Sequence, residues 1–183
     1  MKPWALRGGR TSREDRVMTF GIPTELFLQF HVVISLIGIA SGFIVLYGLV
    51  TSRLLAGWTA LFLATTILTS ITGFPLPPYG YDPPRAIGLL SLVLLALAVA
   101  GLYVFHLAGA WRKIYIATAV AALYLNTFVA VVQSFQKLSF LQPLAPTQSE
   151  PSFVIAQLVV LAAFSALGAL AVIRFRPAAS VSA

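Results

Sequence analysis

The chain of 183 residues has no cysteine. Disulfides, thiolate metal sites, iron–sulfur clusters and thiol redox chemistry are therefore all excluded. Charge is also scarce, at 9% of residues against about 25% in an ordinary soluble protein. The only acidic residues are Glu14, Asp15, Glu25, Asp82 and Glu150. None falls inside a long apolar run, so no intramembrane carboxylate is available to relay a proton or hold a cation. Histidine occurs only at His31 and His106. There is no Ser/His/Asp arrangement, no zinc-ligand spacing and no Gly-rich phosphate loop, which leaves hydrolytic catalysis without support.

Apolar sequence fills the space. Five uncharged stretches run from about Leu26 to Val50, Leu54 to Phe74, Ala86 to Ala110, Ile114 to Phe135 and Phe153 to Ile173. Each has the roughly 20 to 25 residues that a helix needs to cross about 30 Å of hydrocarbon. The expected fold is all-α, an integral membrane bundle of five transmembrane helices in one domain. The tails, residues 1–20 and 177–183, are expected to be disordered. The first run is too long for the core of a cleavable signal peptide and reads as a retained span. Spans and short loops use the whole length, so no separate soluble catalytic domain is expected. A non-enzymatic protein follows most directly.

The net charge of +7 could suggest nucleic acid. Basic residues flanking membrane spans explain it more simply, so the expected partner is the lipid bilayer and not nucleic acid. With an odd number of spans the termini lie on opposite sides. Lys2, Arg7, Arg10, Arg13, Arg16, Arg85 and Lys137 fall on the amino-terminal side, and Arg53, Arg112, Lys113, Arg174 and Arg176 on the far side. That excess of seven to five points to a cytoplasmic N-terminus.

Tight turns at Thr51-Ser52-Arg53 and Trp111-Arg112-Lys113 should make spans one and two, and three and four, antiparallel neighbours. Pro23-Thr24-Glu25 marks the start of span one with a turn, a capping hydroxyl and an acid. The 75–85 connection holds Pro75, Pro77, Pro78, Pro83 and Pro84 and cannot be helical. Tyr47, Trp58, Tyr103, Trp111 and Tyr115 should form an aromatic belt on the far side.

Polar groups within the spans are the candidates for a site, because in hydrocarbon each needs a partner. On the amino-terminal side, span one offers Gln29 and His31, and span two Thr65, Thr66, Thr69, Ser70 and Thr72. Gln133 and Ser134 close span four, and Gln157 opens span five, at a similar depth. Gln29, His31, Thr65, Thr69, Gln133 and Gln157 form the candidate ligand set. Helix–helix packing is the plainer explanation, since His31, Ser35, Gly38 and Gly42 make one stripe at helical spacing. Asn126 and Thr127 sit mid-span, where a hydroxyl from another span could partner the amide. His106 reads as a hydrogen-bonded cap at a helix C-terminus.

Two redox cofactors are conceivable. A haem held by both histidines of one chain fails, because their positions along parallel spans differ by about 20 Å. One histidine alone, or one from each of two protomers, leaves His31 or His106 as weak metal candidates. A quinone needs only an apolar slot and one or two donors, which the cluster around His31 could supply. The main expectation remains an accessory or interaction subunit of a membrane complex, or a homo-oligomer, without a cofactor.

The runs Phe105-His106-Leu107-Ala108-Gly109-Ala110-Trp111-Arg112-Lys113-Ile114-Tyr115, Ala122-Leu123-Tyr124-Leu125-Asn126 and Leu144-Ala145-Pro146-Thr147-Gln148-Ser149-Glu150-Pro151 carry a resemblance. The chain from His31 onward resembles a group of uncharacterised small proteobacterial inner-membrane proteins. The resemblance implies a bacterial inner-membrane location and brings no activity, cofactor or catalytic residue with it.

Overall fold

In lipid every backbone N–H and C=O must be satisfied within its own segment, and uncharged runs of this length meet that demand as helices. The computed structural model describes residues 18–77 and 83–176. It contains α1 (Thr24–Val50), α2 (Ala56–Gly73), α3 (Pro83–Val99), α4 (Trp111–Lys137) and α5 (Pro151–Arg174). All five, with α3 extended to Val104, are long and apolar enough to cross a membrane. The all-α bundle expected from the sequence is the fold observed, and the chain is a polytopic membrane protein by this criterion.

The helices pack as sequential antiparallel neighbours, α1 with α2, α3 with α4 and α4 with α5. Helix α4 also meets α1, and α5 closes the ring against α1. The buried core lies toward the far side, where Leu49, Phe62, Leu95, Ala98, Tyr115, Ile116, Ala122 and Leu123 are each at most 2% exposed. Gly42 allows the tightest approach: a Cβ there would come within 2.4 Å of Leu123 and 2.9 Å of Phe62. Outward faces are apolar, with Leu89, Leu90 and Val93 on α3 and Ile155, Leu158 and Val159 on α5 all exposed. So large an apolar surface is stable only against lipid or other helices.

Three local features differ from expectation. Span three was expected to continue to Ala110. Regular α-helix instead stops at Val99, and a π-helical turn covers Ala100–Val104. The chain then unwinds through His106 (φ +47°) and Leu107 (φ +60°), closed by Phe105 N–H to Ala100 O and Leu107 N–H to Gly101 O, both 2.9 Å. The connection is therefore 105–110, and Trp111-Arg112-Lys113 forms the first turn of α4. Phe105 stacks on Trp111 at 3.8 Å across it. Gly101 permits the close approach, since a Cβ would sit 3.2 Å from Trp111 O and from Tyr115 Cβ.

Tyr115 is the second difference: it is fully buried in the core and takes no part in the belt, whereas Tyr47, Trp58 and Tyr103 are exposed. The third concerns the amino-terminal tail, drawn to residue 20. Met18–Thr19 pairs antiparallel with Ile22–Pro23 around Phe20 (φ +52°) and Gly21 (φ +77°), the two left-handed residues of a type I′ turn. Thr19 Oγ1 lies 2.8 Å from Thr24 Oγ1, tying this hairpin to the start of α1. Residues 1–17 and 177–183, and residues 78–82 of the proline-rich connection, lie outside the described residues.

The other amino-terminal-side connection, residues 138–150, is organised around Glu150. Its carboxylate accepts from Thr147 N–H (3.0 Å), Thr147 Oγ1 (2.8 Å) and Ser149 N–H (3.1 Å). Pro151 then opens α5, where its missing N–H costs nothing.

Candidate functional site

Most hydroxyls in the spans satisfy themselves by bonding the carbonyl four residues back. Thr65 does so to Leu61 O (2.7 Å), Ser70 to Thr66 O (2.9 Å) and Thr72 to Leu68 O (2.8 Å). Thr66 and Thr69 do not. Their Oγ1 atoms are buried and have no hydrogen-bond partner among the described residues, and the same holds for Asn126 Nδ2. Thr66 is 1% and Asn126 9% exposed. A buried unpaired donor costs about 1 to 3 kcal/mol, so three in one place are a substantial defect unless something meets them.

All three residues line one cavity of about 110 Å³ where α1, α2, α3 and α4 meet. His31 and Ser35 contribute from α1, Ser70 and Gly73 from α2, Arg85 and Ser91 from α3, and Leu125 and Val129 from α4. Gly38 lies against two of these groups. A Cβ at Gly38 would lie 3.1 Å from Thr66 Oγ1 and 3.3 Å from Asn126 Nδ2, so any larger side chain would press into the donors. Ser35 Oγ donates to Asn126 Oδ1 at 2.9 Å, which fixes the amide with its N–H₂ as the unpaired end. Here the expected hydroxyl from another span is found, and the stripe from His31 to Gly42 does face neighbouring helices.

His31 Nδ1 lies 2.8 Å from Thr72 Oγ1. Thr72 already donates to Leu68 O, so toward His31 it accepts, and the proton is assigned to Nδ1. Nε2 is then the free end of the neutral ring. At the amino-terminal-side end of the cavity, Arg85 Nη2 donates to Leu76 O (2.7 Å) and Nε to Phe74 O (3.3 Å). The guanidinium thus meets the orphan carbonyls where α2 ends, a favoured position for a cation.

The candidate set is only partly gathered. His31 and Thr69 line the cavity, while Thr65 is back-bonded beside Gly38. Gln29 is exposed on the outer face of α1. Gln133 is half-buried away from the cavity, and Gln157 belongs to the α4–α5 contact, where its Nε2 donates to Phe128 O at 3.3 Å. Similar depth did not mean the same face. Ser91 and Arg85 line the cavity but are not in the candidate set, although Ser91 is the sole hydroxyl of α3 and marks the face that turns inward. The hydroxyl partner expected for Asn126 is found at Oδ1 of its amide and not at Nδ2.

His106 stands in the far-side turn, exposed, and makes no hydrogen bond among the described residues. Backbone groups close that helix end, so the expected imidazole cap is replaced by left-handed backbone at His106 itself. The two histidines thus lie at opposite ends of the bundle. The cavity's volume, about 110 Å³, is smaller than the roughly 150 Å³ that takes up benzene, so it encloses no more than part of a small ring. Among the described residues no carboxylate lines the cavity, and no three His, Cys, Asp or Glu side chains come together. What the walls offer is donors in an apolar setting. A second depression of about 330 Å³ is lined by the end of α4 and the 138–150 connection, and among the described residues it holds no unpartnered buried side chain.

Comparison with family models, with curated proteins and with solved structures finds no match to this chain.

Proposed function

We propose that the chain is a non-enzymatic, multi-pass accessory protein of a bacterial inner membrane that holds the carbonyl-bearing head of an apolar-tailed ligand, of the quinone class, in its four-helix cavity. One observation carries this reading: Thr66 Oγ1, Thr69 Oγ1 and Asn126 Nδ2 are buried donors without acceptors on a single cavity wall. The missing partner is an acceptor. A ring that brings its carbonyl edge into the cavity supplies acceptors to the wall and leaves the rest of the ring and its apolar tail toward lipid. The excess of amino-terminal-side Lys and Arg supports a cytoplasmic N-terminus. Membership of a larger complex, or of an oligomer of this chain, is supported by α5, which packs chiefly on α4 and α1 and leaves Ile155, Leu158 and Val159 outward.

The test is chemical. Protein purified in detergent is extracted and assayed for quinone, with an oxidised-minus-reduced spectrum taken on the same sample. Quinone near one per chain, and no Soret band, is the expected result. A quinone content no higher than that of the detergent-solubilised lipid background would overturn the ligand and leave water as the acceptor, since a polar cavity of this size can hold a few molecules.

A further inference from the structure

We infer that the far side of the bundle carries a second, independent site: an arginine cluster that holds the phosphate of an anionic lipid headgroup. Its construction begins with Phe175, which is fully buried although it follows the last residue of α5. Arg112 donates a guanidinium hydrogen bond to Phe175 O, and Arg176 N–H donates to Ser52 Oγ at 2.8 Å. These two bonds draw three segments together: the 51–55 turn, the first turn of α4 and the end of α5. Each brings cations, Arg53 from the turn, Arg112 and Lys113 from α4, and Arg174 and Arg176 from the carboxyl-terminal end. The side chains of Arg53, Arg174 and Arg176 are exposed on a backbone that is pinned by a buried aromatic plug.

Among the described residues no carboxylate neutralises them. The acidic residues among the described ones are Glu25 and Glu150, at the start of α1 and of α5, on the opposite side of the bundle. Tyr47 and Trp58, exposed at the adjoining ends of α1 and α2, mark the same level as membrane interface. Arginine forks at that level match phosphate oxygens in pairs, and each such residue near an anionic surface strengthens attachment about fivefold. The cations come from three segments that these two bonds hold together, so the proposed site takes a single headgroup and is more than a diffuse basic rim.

The test follows thermal stability of the full chain in neutral detergent. It compares added short-chain phosphatidylglycerol, phosphatidylcholine and inorganic phosphate. Phosphatidylglycerol is expected to raise Tm saturably, and the other two are not. In the variant Arg53→Gln/Arg174→Gln/Arg176→Gln, the half-saturating concentration should rise about 100-fold, at fivefold per arginine. The variant's Tm in phosphatidylcholine gives its baseline fold, and Lys137→Gln, on the other side, should leave the titration unchanged. Equal stabilisation by phosphatidylcholine, or a triple variant that titrates like the parent, would overturn the site. The same rise with inorganic phosphate alone would overturn the lipid as its source.

Discussion

The two halves of this bundle are made from the same helices and solve opposite problems. Toward the far side, Phe62, Leu95, Tyr115 and Leu123 interlock with almost no exposure, and Phe175 closes the end. Toward the amino-terminal side, the same α1, α2, α3 and α4 separate around a cavity whose wall holds unpaired donors. Glycine serves both halves differently. Gly42 brings α1 onto Phe62 and Leu123, while Gly38, one turn along, brings it onto Thr66 and Asn126. Both halves bury polar side chains without a partner among the described residues, Thr59 Oγ1 and Tyr115 OH in the far one, so what sets the amino-terminal half apart is the cavity that its unpaired groups line.

The comparison can be broken most severely in the far half. Phe62→Ala should cost about 3 to 5 kcal/mol, because the surrounding helices cannot collapse into the space, and thermal unfolding in detergent would read it. Gly42→Ala comes next, at about 1 to 3 kcal/mol, since the added methyl must displace Leu123 and Phe62. Changes in the polar half should be far milder. His31→Leu loses one bond to Thr72, and an interhelical hydrogen bond in a membrane protein is worth about 0.6 kcal/mol on average. A loss above about 2 kcal/mol would mean that His31 is part of the structural core and would erase the distinction between the halves.

The smallest expected effect is local and depends on pH. Partial desolvation pushes the Glu150 carboxyl up, but hydrogen bonds from the backbone and side chain of Thr147 and from Ser149 outweigh it and hold the group below its ordinary 4.5. Because the folded value is the lower one, the 138–150 connection gains its support from Glu150 above pH 4.5 and loses it as pH falls through the depressed value. Amide resonances of Thr147 and Ser149 should shift together on acidification. In Glu150→Gln that transition should disappear.

Much of this architecture was legible in the residues. Span lengths and the absence of charge were enough for five helices, and the short 51–53 turn for the α1–α2 pair. The His31, Ser35, Gly38, Gly42 stripe showed which face of α1 turns inward. Depth along a span was readable as well, but azimuth was not. Gln29, Gln133 and Gln157 share the cavity's depth and face elsewhere, because uniformly apolar helices carry little amphipathic signal to orient them. The π-helical turn at Ala100–Val104 was illegible for a related reason. It coincides with the close fit of Gly101 against Trp111 and Tyr115, a tertiary contact with no local sequence mark.

The most direct test of the central claim is a titration of the purified protein with a short-tailed benzoquinone, followed by thermal unfolding, in the parent and in Asn126→Leu. The variant removes an unpaired donor and the bond from Ser35 together, so its stability without ligand should stay within about 1 kcal/mol of the parent. Saturable stabilisation of the parent that is lost in Asn126→Leu is the predicted result. Identical curves for the two proteins, or no stabilisation of either, would contradict the claim that this cavity exists to hold an acceptor ligand.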